Sequence, residues 1–222
     1  MEPPDGHRYG ERMTTAAGRE RLEFADALLA AGPDAPTLCD GWTARDLAAH
    51  VVLRERRPDA AGGVIISALG RYTDRVQGKI AGRAWPDLVD TVRSGPPRWS
   101  PTRLDPVDRA ANTIEFFVHH EDVRRAVEPW EPLTLDDELV DDLHTALGRA
   151  VRLLARKAPT GLVLEPTDGR TEIVAKKGEP VVTVRGPVPE LVLFMYGRSD
   201  QARVELVGDE SDVALLRSTG FG

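Results

Sequence analysis

The chain has 222 residues, 41% of them hydrophobic and 29% charged, which suits one large globular domain or two modest ones. Its formal net charge of −7 argues against non-specific binding to nucleic acid or anionic lipid, since both require a basic surface. No apolar run approaches the ~18 residues that would span a bilayer, the first ten residues lack the apolar centre of a secretory signal, and the lone Cys39 has no partner for an internal disulfide, so a reducing cytoplasmic location is expected.

Helical spacing of Leu22, Phe24, Ala25, Leu28 and Leu29 predicts a first helix over about 14–31, stopped by Gly32-Pro33. A second helix opens at Trp42-Thr43. Thr43 and Asp46 have the spacing of a capping box, and Trp42 with Leu47 that of a hydrophobic staple. This helix runs to about Arg57, where Pro58 ends or kinks it. A third stretch is expected over 59–80 and a short helix over 85–93. A Pro-rich loop follows, over 95–105. Asp105 as N-cap and Pro106 at the first helical position start a long helix to about Val127. Thr134 and Asp137 predict a second capping box, for a helix reaching Lys157.

Beyond that point the pattern changes. Residues 162–164, 172–174 and 181–184 read as short strands, with Asp168-Gly169 as a hairpin turn. A helix over 189–196, a strand over 203–207 and a last helix over 212–217 follow. The expected architecture is therefore α+β in two domains: a helical bundle over 1–157 and a small α+β domain over 158–222.

The long helix after Asp105 carries the chemistry. Val107, Ala111, Ile114 and Val118 form its apolar stripe, and Glu115, His119 and Asp122 form the stripe beside it. A carboxylate and an imidazole at the edge of a core are costly unless compensated, and a metal ion is one compensation. The E-x-x-x-H spacing lets Glu115 and His119 reach one ion; taken alone, the same spacing is common in surface pairs. His50 lies two turns inside the capped second helix and supplies a third ligand if that helix packs alongside. Two imidazoles and one carboxylate leave a fourth position open, as in catalytic rather than structural zinc sites. Nickel, iron and manganese suit the same donors.

Other residues keep two readings at this stage. Arg54 either faces the metal cavity or belongs to a solvated basic face. Asp46 is a helix cap that could also orient His50. Asp122 either orients a ligand or binds weakly. Cys39 is either a reactive thiol or, with no base beside it in the sequence, a small buried residue next to Gly41-Trp42. His120 points about a third of a turn away from His119 and is not expected to ligate. His144 reads as an ordinary histidine at the edge of solvent.

The segment from Ala35 to His50, APTLCDGWTARDLAAH, resembles the opening of the metal-binding domain of the mycothiol-dependent maleylpyruvate isomerases, a family within the DinB-like four-helix bundle superfamily. Glu115 to Val123, EFFVHHEDV, is similar to the second motif of that family. The string Leu53 to Asp59, LRERRPD, is similar to a subgroup described as metal-binding proteins. The tail, from Gly186-Pro187 through Gly197-Arg198 to Gly208-Asp209, is similar to the family's small C-terminal domain, which is related to sterol carrier proteins. The resemblance implies a DinB-like bundle followed by that domain, with zinc held by His50, Glu115 and His119. It also implies mycothiol, or a similar low-molecular-weight thiol, as cosubstrate for isomerisation or for thiol transfer to an electrophile. Arg54 and Arg198 are then the candidate catalytic residues, binding a substrate carboxylate. The alternative is a metal-binding protein without catalysis, a sensor or an interaction module. Oligomeric state stays open.

Overall fold

The computed structural model describes residues 15–57, 70–97 and 105–218. Among them the fold is α+β, with eight helices and one four-stranded sheet. The chain folds into two compact units, Met1–Pro132 and Leu133–Gly222.

The first unit holds helices α1 (Ala16–Ala31), α2 (Ala44–Arg56), α3 (Gly70–Ala81), α4 (Trp85–Ser94) and α5 (Asp105–Arg124). In α1, Ala17, Arg21, Phe24 and Leu28 recur every three or four residues and are buried together, so one face enters the core. Thr15 caps its start by accepting from Gly18 N at 3.1 Å. Gly32 ends it at φ +85°, a conformation that a Cβ disfavours. The capping box of α2 forms as expected: the Thr43 side chain accepts from Asp46 N and the Asp46 carboxylate accepts from Thr43 N. Two orphan donors of the first turn are thus satisfied, an effect worth roughly 1 kcal/mol for the cap alone. α1 packs along α5 and against α4, and α2 packs against α3 and α4. Phe24, Leu28, Leu47, Val51, Leu53, Leu88, Val92 and Phe116 fill the space between them.

A buried ion pair crosses this core. The Arg21 guanidinium meets the Glu55 carboxylate at 2.6 and 3.0 Å, donates to Val92 O, and lies 4.2 Å from the centroid of the Phe116 ring. One side chain of α1 is thereby tied to α2, α4 and α5.

The second unit holds α6 (Asp137–Leu154), a 3-10 turn (Ala155–Lys157), β1 (Gly161–Pro166), β2 (Ile173–Lys176), β3 (Val181–Gly186), α7 (Val188–Met195), β4 (Glu205–Val207) and α8 (Glu210–Ser218). The strand order is β2-β1-β3-β4, with β1 and β3 parallel and both outer pairings antiparallel. Leu162, Leu164, Val182 and Val184 alternate along β1 and β3 and are buried. α7 packs on these two strands. On the opposite side of the alternation Arg185 bridges Glu165 at 3.1 Å and Glu205 at 3.4 Å.

Several expectations need correction. The boundary expected near residue 157 falls instead between Pro132 and Leu133, because α6 packs against α7 and β2 and groups with the sheet. The long helix counted toward the bundle is therefore part of the α+β unit. The cap of α6 is Asp136, which accepts from Leu139 N at 2.8 Å, and not Thr134. α5 ends at Arg124, three residues short of Val127. The first part of the expected third helix and most of the Pro-rich loop lie outside the described residues, as do the side chains of Asp105 to Ala111.

Candidate metal centre

The site is built on α5 and α2, with one loop. Asn112, Glu115, His119 and Asp122 succeed one another along α5 at spacings of three, four and three, which keeps them on one side of the helix. α2 adds His50 and Arg54, one turn apart. The loop between α1 and α2 adds Cys39. That loop is closed by a β-bridge between Pro36 and Thr43 and by the Thr37 hydroxyl, which donates to Trp42 O at 2.9 Å. Gly41, at φ +73°, turns it back. It is fastened to α5 by Leu38 N, which donates to Asp122 O at 3.0 Å.

Three nitrogens converge on one carboxylate oxygen. His119 Nε2 lies 3.3 Å from Glu115 Oε1, His50 Nε2 lies 3.6 Å from it, and Arg54 Nη1 lies 3.2 Å from it. The two imidazole rings meet edge to face with centroids 5.7 Å apart, and the Trp42 ring stands 5.1 Å from that of His50. Arg54 Nη2 donates to Asn112 Oδ1 at 2.8 Å. On its other side His119 presents Nδ1 to Asp122 Oδ2 at 2.9 Å, and Cys39 Sγ lies 3.3 Å from the same oxygen. His50, Glu115 and His119 are partly buried, whereas Asp122 is fully buried.

The electrostatics follow from these contacts. Burial by itself raises the Glu115 carboxyl, but hydrogen bonds from His119 and His50, with the charges of His119 and Arg54, outweigh it and hold the group well below the usual carboxylate range. Burial disfavours protonation of His119, yet Asp122, Cys39 and Glu115 hold its pKa well above the ordinary histidine value.

The donor set suits a divalent ion. The ligand atoms of His50, Glu115 and His119 all lie within 4.8 Å of one another. With metal–nitrogen and metal–oxygen bonds of 2.0–2.2 Å, the edge of a coordination tetrahedron is about 3.3 Å. The separations of 3.3 and 3.6 Å from Glu115 Oε1 to the two imidazoles are close to that edge. Cys39, His119 and Asp122 form a second compact group, which shares the same imidazole.

The structure brings together the three residues named as ligands, and it also places Arg54 at the site rather than on a solvated face. Asp46 serves as a cap, its Oδ2 2.7 Å from the Thr43 hydroxyl. Arg198 belongs to the second unit, where its guanidinium donates to Tyr196 O. His120 turns away and pairs with Glu20 at 2.6 Å, both being buried. His144 lies at the surface, with Nε2 2.8 Å from Thr171 O. Cys39 needs correction: it is partly exposed, and its acidic neighbour Asp122 comes from 83 residues away, beyond the reach of a local reading. Asn112 carried no signal in the sequence beyond its place three residues before Glu115.

No family model matches the chain, and no curated protein matches it. Among solved structures, the crystal structure of the mycothiol-dependent maleylpyruvate isomerase superposes with a TM-score of 0.55 at 17% identity, covering 90% of this chain and 94% of that one. A histidine-to-alanine variant of that isomerase superposes with a TM-score of 0.54 at the same identity and coverage. At this identity the likeness is one of fold. No helix among the described residues is long and apolar enough to cross a membrane.

Proposed function

We propose that this chain is a metal-dependent enzyme of the mycothiol-using kind, with a DinB-like bundle that holds one divalent ion, zinc foremost, through His50, Glu115 and His119. The observation that carries the reading is the convergence of two imidazole Nε2 atoms on one oxygen of Glu115. The fold likeness to a mycothiol-dependent isomerase over nine-tenths of the chain supports it. The chemistry that such an ion supplies is Lewis acidity, which stabilises a thiolate at neutral pH.

The chain's own residues set the conditions for this. Two neutral imidazoles and one carboxylate leave a divalent ion with a net charge of about +1, so an anionic sulfur is still attracted. Arg54, braced by Asn112, holds Glu115 in place and keeps a cationic group at the site for a substrate carboxylate. The Trp42 ring forms an apolar wall beside His50. The small α+β unit is read as sterol-carrier-like. The reaction class that follows is isomerisation, or transfer of the thiol to an electrophile.

The test is calorimetric. Metal-loaded protein is titrated with mycothiol and with its S-methyl analogue, in buffers of different ionisation enthalpy. Tighter binding of the free thiol, with release of a proton that disappears in Glu115→Ala, is the expected result. Equal binding without proton release would put the alternative ahead, a non-catalytic metal-binding protein acting as a sensor or an interaction module.

A further inference from the structure

We infer that Asp122 is a positioning residue for His119: it accepts the Nδ1–H of that ring and so commits Nε2 to the metal, with the Cys39 thiol as a second donor that holds the carboxylate in place. The inference rests on the metal-site reading above.

His119 stands between two groups that could each take an ion. Its Nε2 faces Glu115 and His50, and its Nδ1 faces Asp122 and Cys39. A single imidazole serves both only as a doubly deprotonated bridge, so the protein must favour one nitrogen. The two sides differ in burial and in partners. Asp122 is fully buried, and its Oδ2 already has two hydrogen-bonding neighbours, His119 Nδ1 at 2.9 Å and Cys39 Sγ at 3.3 Å. A carboxylate removed from water is tolerated when donors surround it, and an N–H and an S–H are such donors. The other side is partly open, and there two nitrogens crowd one carboxylate oxygen within 3.6 Å beside a guanidinium. Exchange of ligands requires that access. The buried Asp122 carboxylate therefore acts as the hydrogen-bond acceptor, and the partly open Glu115 side as the coordination site.

The arrangement is rigid for reasons local to the chain. His119 and Asp122 are three residues apart on a helix, so their contact is set by helical geometry. Cys39 is held by its own loop: Cys39 N donates to the Thr37 hydroxyl at 3.2 Å and Trp42 N donates to Cys39 O at 3.0 Å. Leu38 N donates to Asp122 O, which fixes the loop to the same residue whose side chain Cys39 approaches. A carboxylate on the remote nitrogen of a ligating histidine fixes the tautomer and raises the basicity of the ring.

Two measurements on the full chain test this. The first uses the wild-type protein. In long-range proton–nitrogen spectra of the zinc-loaded form, the His119 ring should carry its proton on Nδ1 and the metal on Nε2. In the cobalt-substituted form, thiolate-to-metal charge transfer should be absent. The reverse tautomer, or a charge-transfer band that vanishes in Cys39→Ser, would overturn the inference by making Cys39 and Asp122 ligands. The second is zinc affinity by competition with a chromophoric chelator. Asp122→Asn and Asp122→Ala should each weaken binding about 10–100-fold. Cys39→Ser, which keeps a donor, should stay near wild type. Unchanged affinity in a folded Asp122→Asn protein would overturn the inference, and the wild-type spectra decide the matter if both Asp122 variants fail to fold. A wild-type chain that takes up no metal at all would defeat the proposed function as well, whereas normal loading that ignores Asp122 defeats only this inference.

Discussion

Two faces of the same helix treat adjacent histidines in opposite ways. Toward α1, His120 meets a single carboxylate, Glu20, at 2.6 Å, and both side chains are buried. There one imidazole nitrogen meets one carboxylate oxygen, and little of either side chain reaches solvent. Toward α2, His119 belongs to a set with a surplus. Glu115 Oε1 alone faces three nitrogens, and the group remains partly open. Successive residues on an α-helix are turned by 100°, which is enough to send one imidazole into a finished hydrogen bond and its neighbour into an unfinished one. Polar character at the edge of a core does not separate these cases. The number of partners that converge does.

The two faces are told apart most readily by metal content. Wild-type protein should carry about one ion per chain, as a single His₂Glu site requires. His50→Ala, Glu115→Ala and His119→Ala should each lose most of it, while His120→Ala keeps it. Elemental analysis of the purified proteins decides this, and full loading of Glu115→Ala and His119→Ala would refute the ligand assignment.

Stability should show the opposite ranking. Removing His120 leaves Glu20 buried without its partner, at a cost of about 1–3 kcal/mol. Chemical denaturation should show that loss in His120→Ala and a much smaller one in metal-free His50→Ala, whose ring is partly open to water. If the two variants are equally destabilised, the closed and open faces do not differ as described.

Chelation should have a moderate effect. The first unit has its own apolar core, so removing metal should lower the melting temperature while helical circular dichroism persists. Loss of the helical signal on chelation would make the ion structural.

The smallest effect is a dependence on pH, and its sign follows from the two shifts. Glu115 is held low, so in the metal-free protein its stabilising contribution is present above the ordinary glutamate value of about 4.5 and is lost as pH falls through its lowered value. His119 is held high, so its contribution is present below about 6.5 and is lost as pH rises through its raised value. Both are fully present between those two limits. Metal binding instead requires His119 Nε2 without its proton, so affinity rises with pH. The gap in melting temperature between loaded and chelated protein should therefore widen as pH rises through neutrality. A gap that narrows over that range would contradict proton competition at His119.

Much of this molecule could be read in the chain. The capping box of Thr43 and Asp46, the Gly32 stop and the alternation of Leu162 and Leu164 depend on contacts within a few residues, and local sequence records them. Glu115 and His119 were legible for the same reason, since four residues on a helix place two side chains together. Helix packing decided the rest. That His50 meets this pair, that Arg54 turns to Glu115 and that Cys39 reaches Asp122 are contacts across separate elements. So is the grouping of α6 with the sheet, because an amphipathic helix records that it has an apolar face but not which partner covers it.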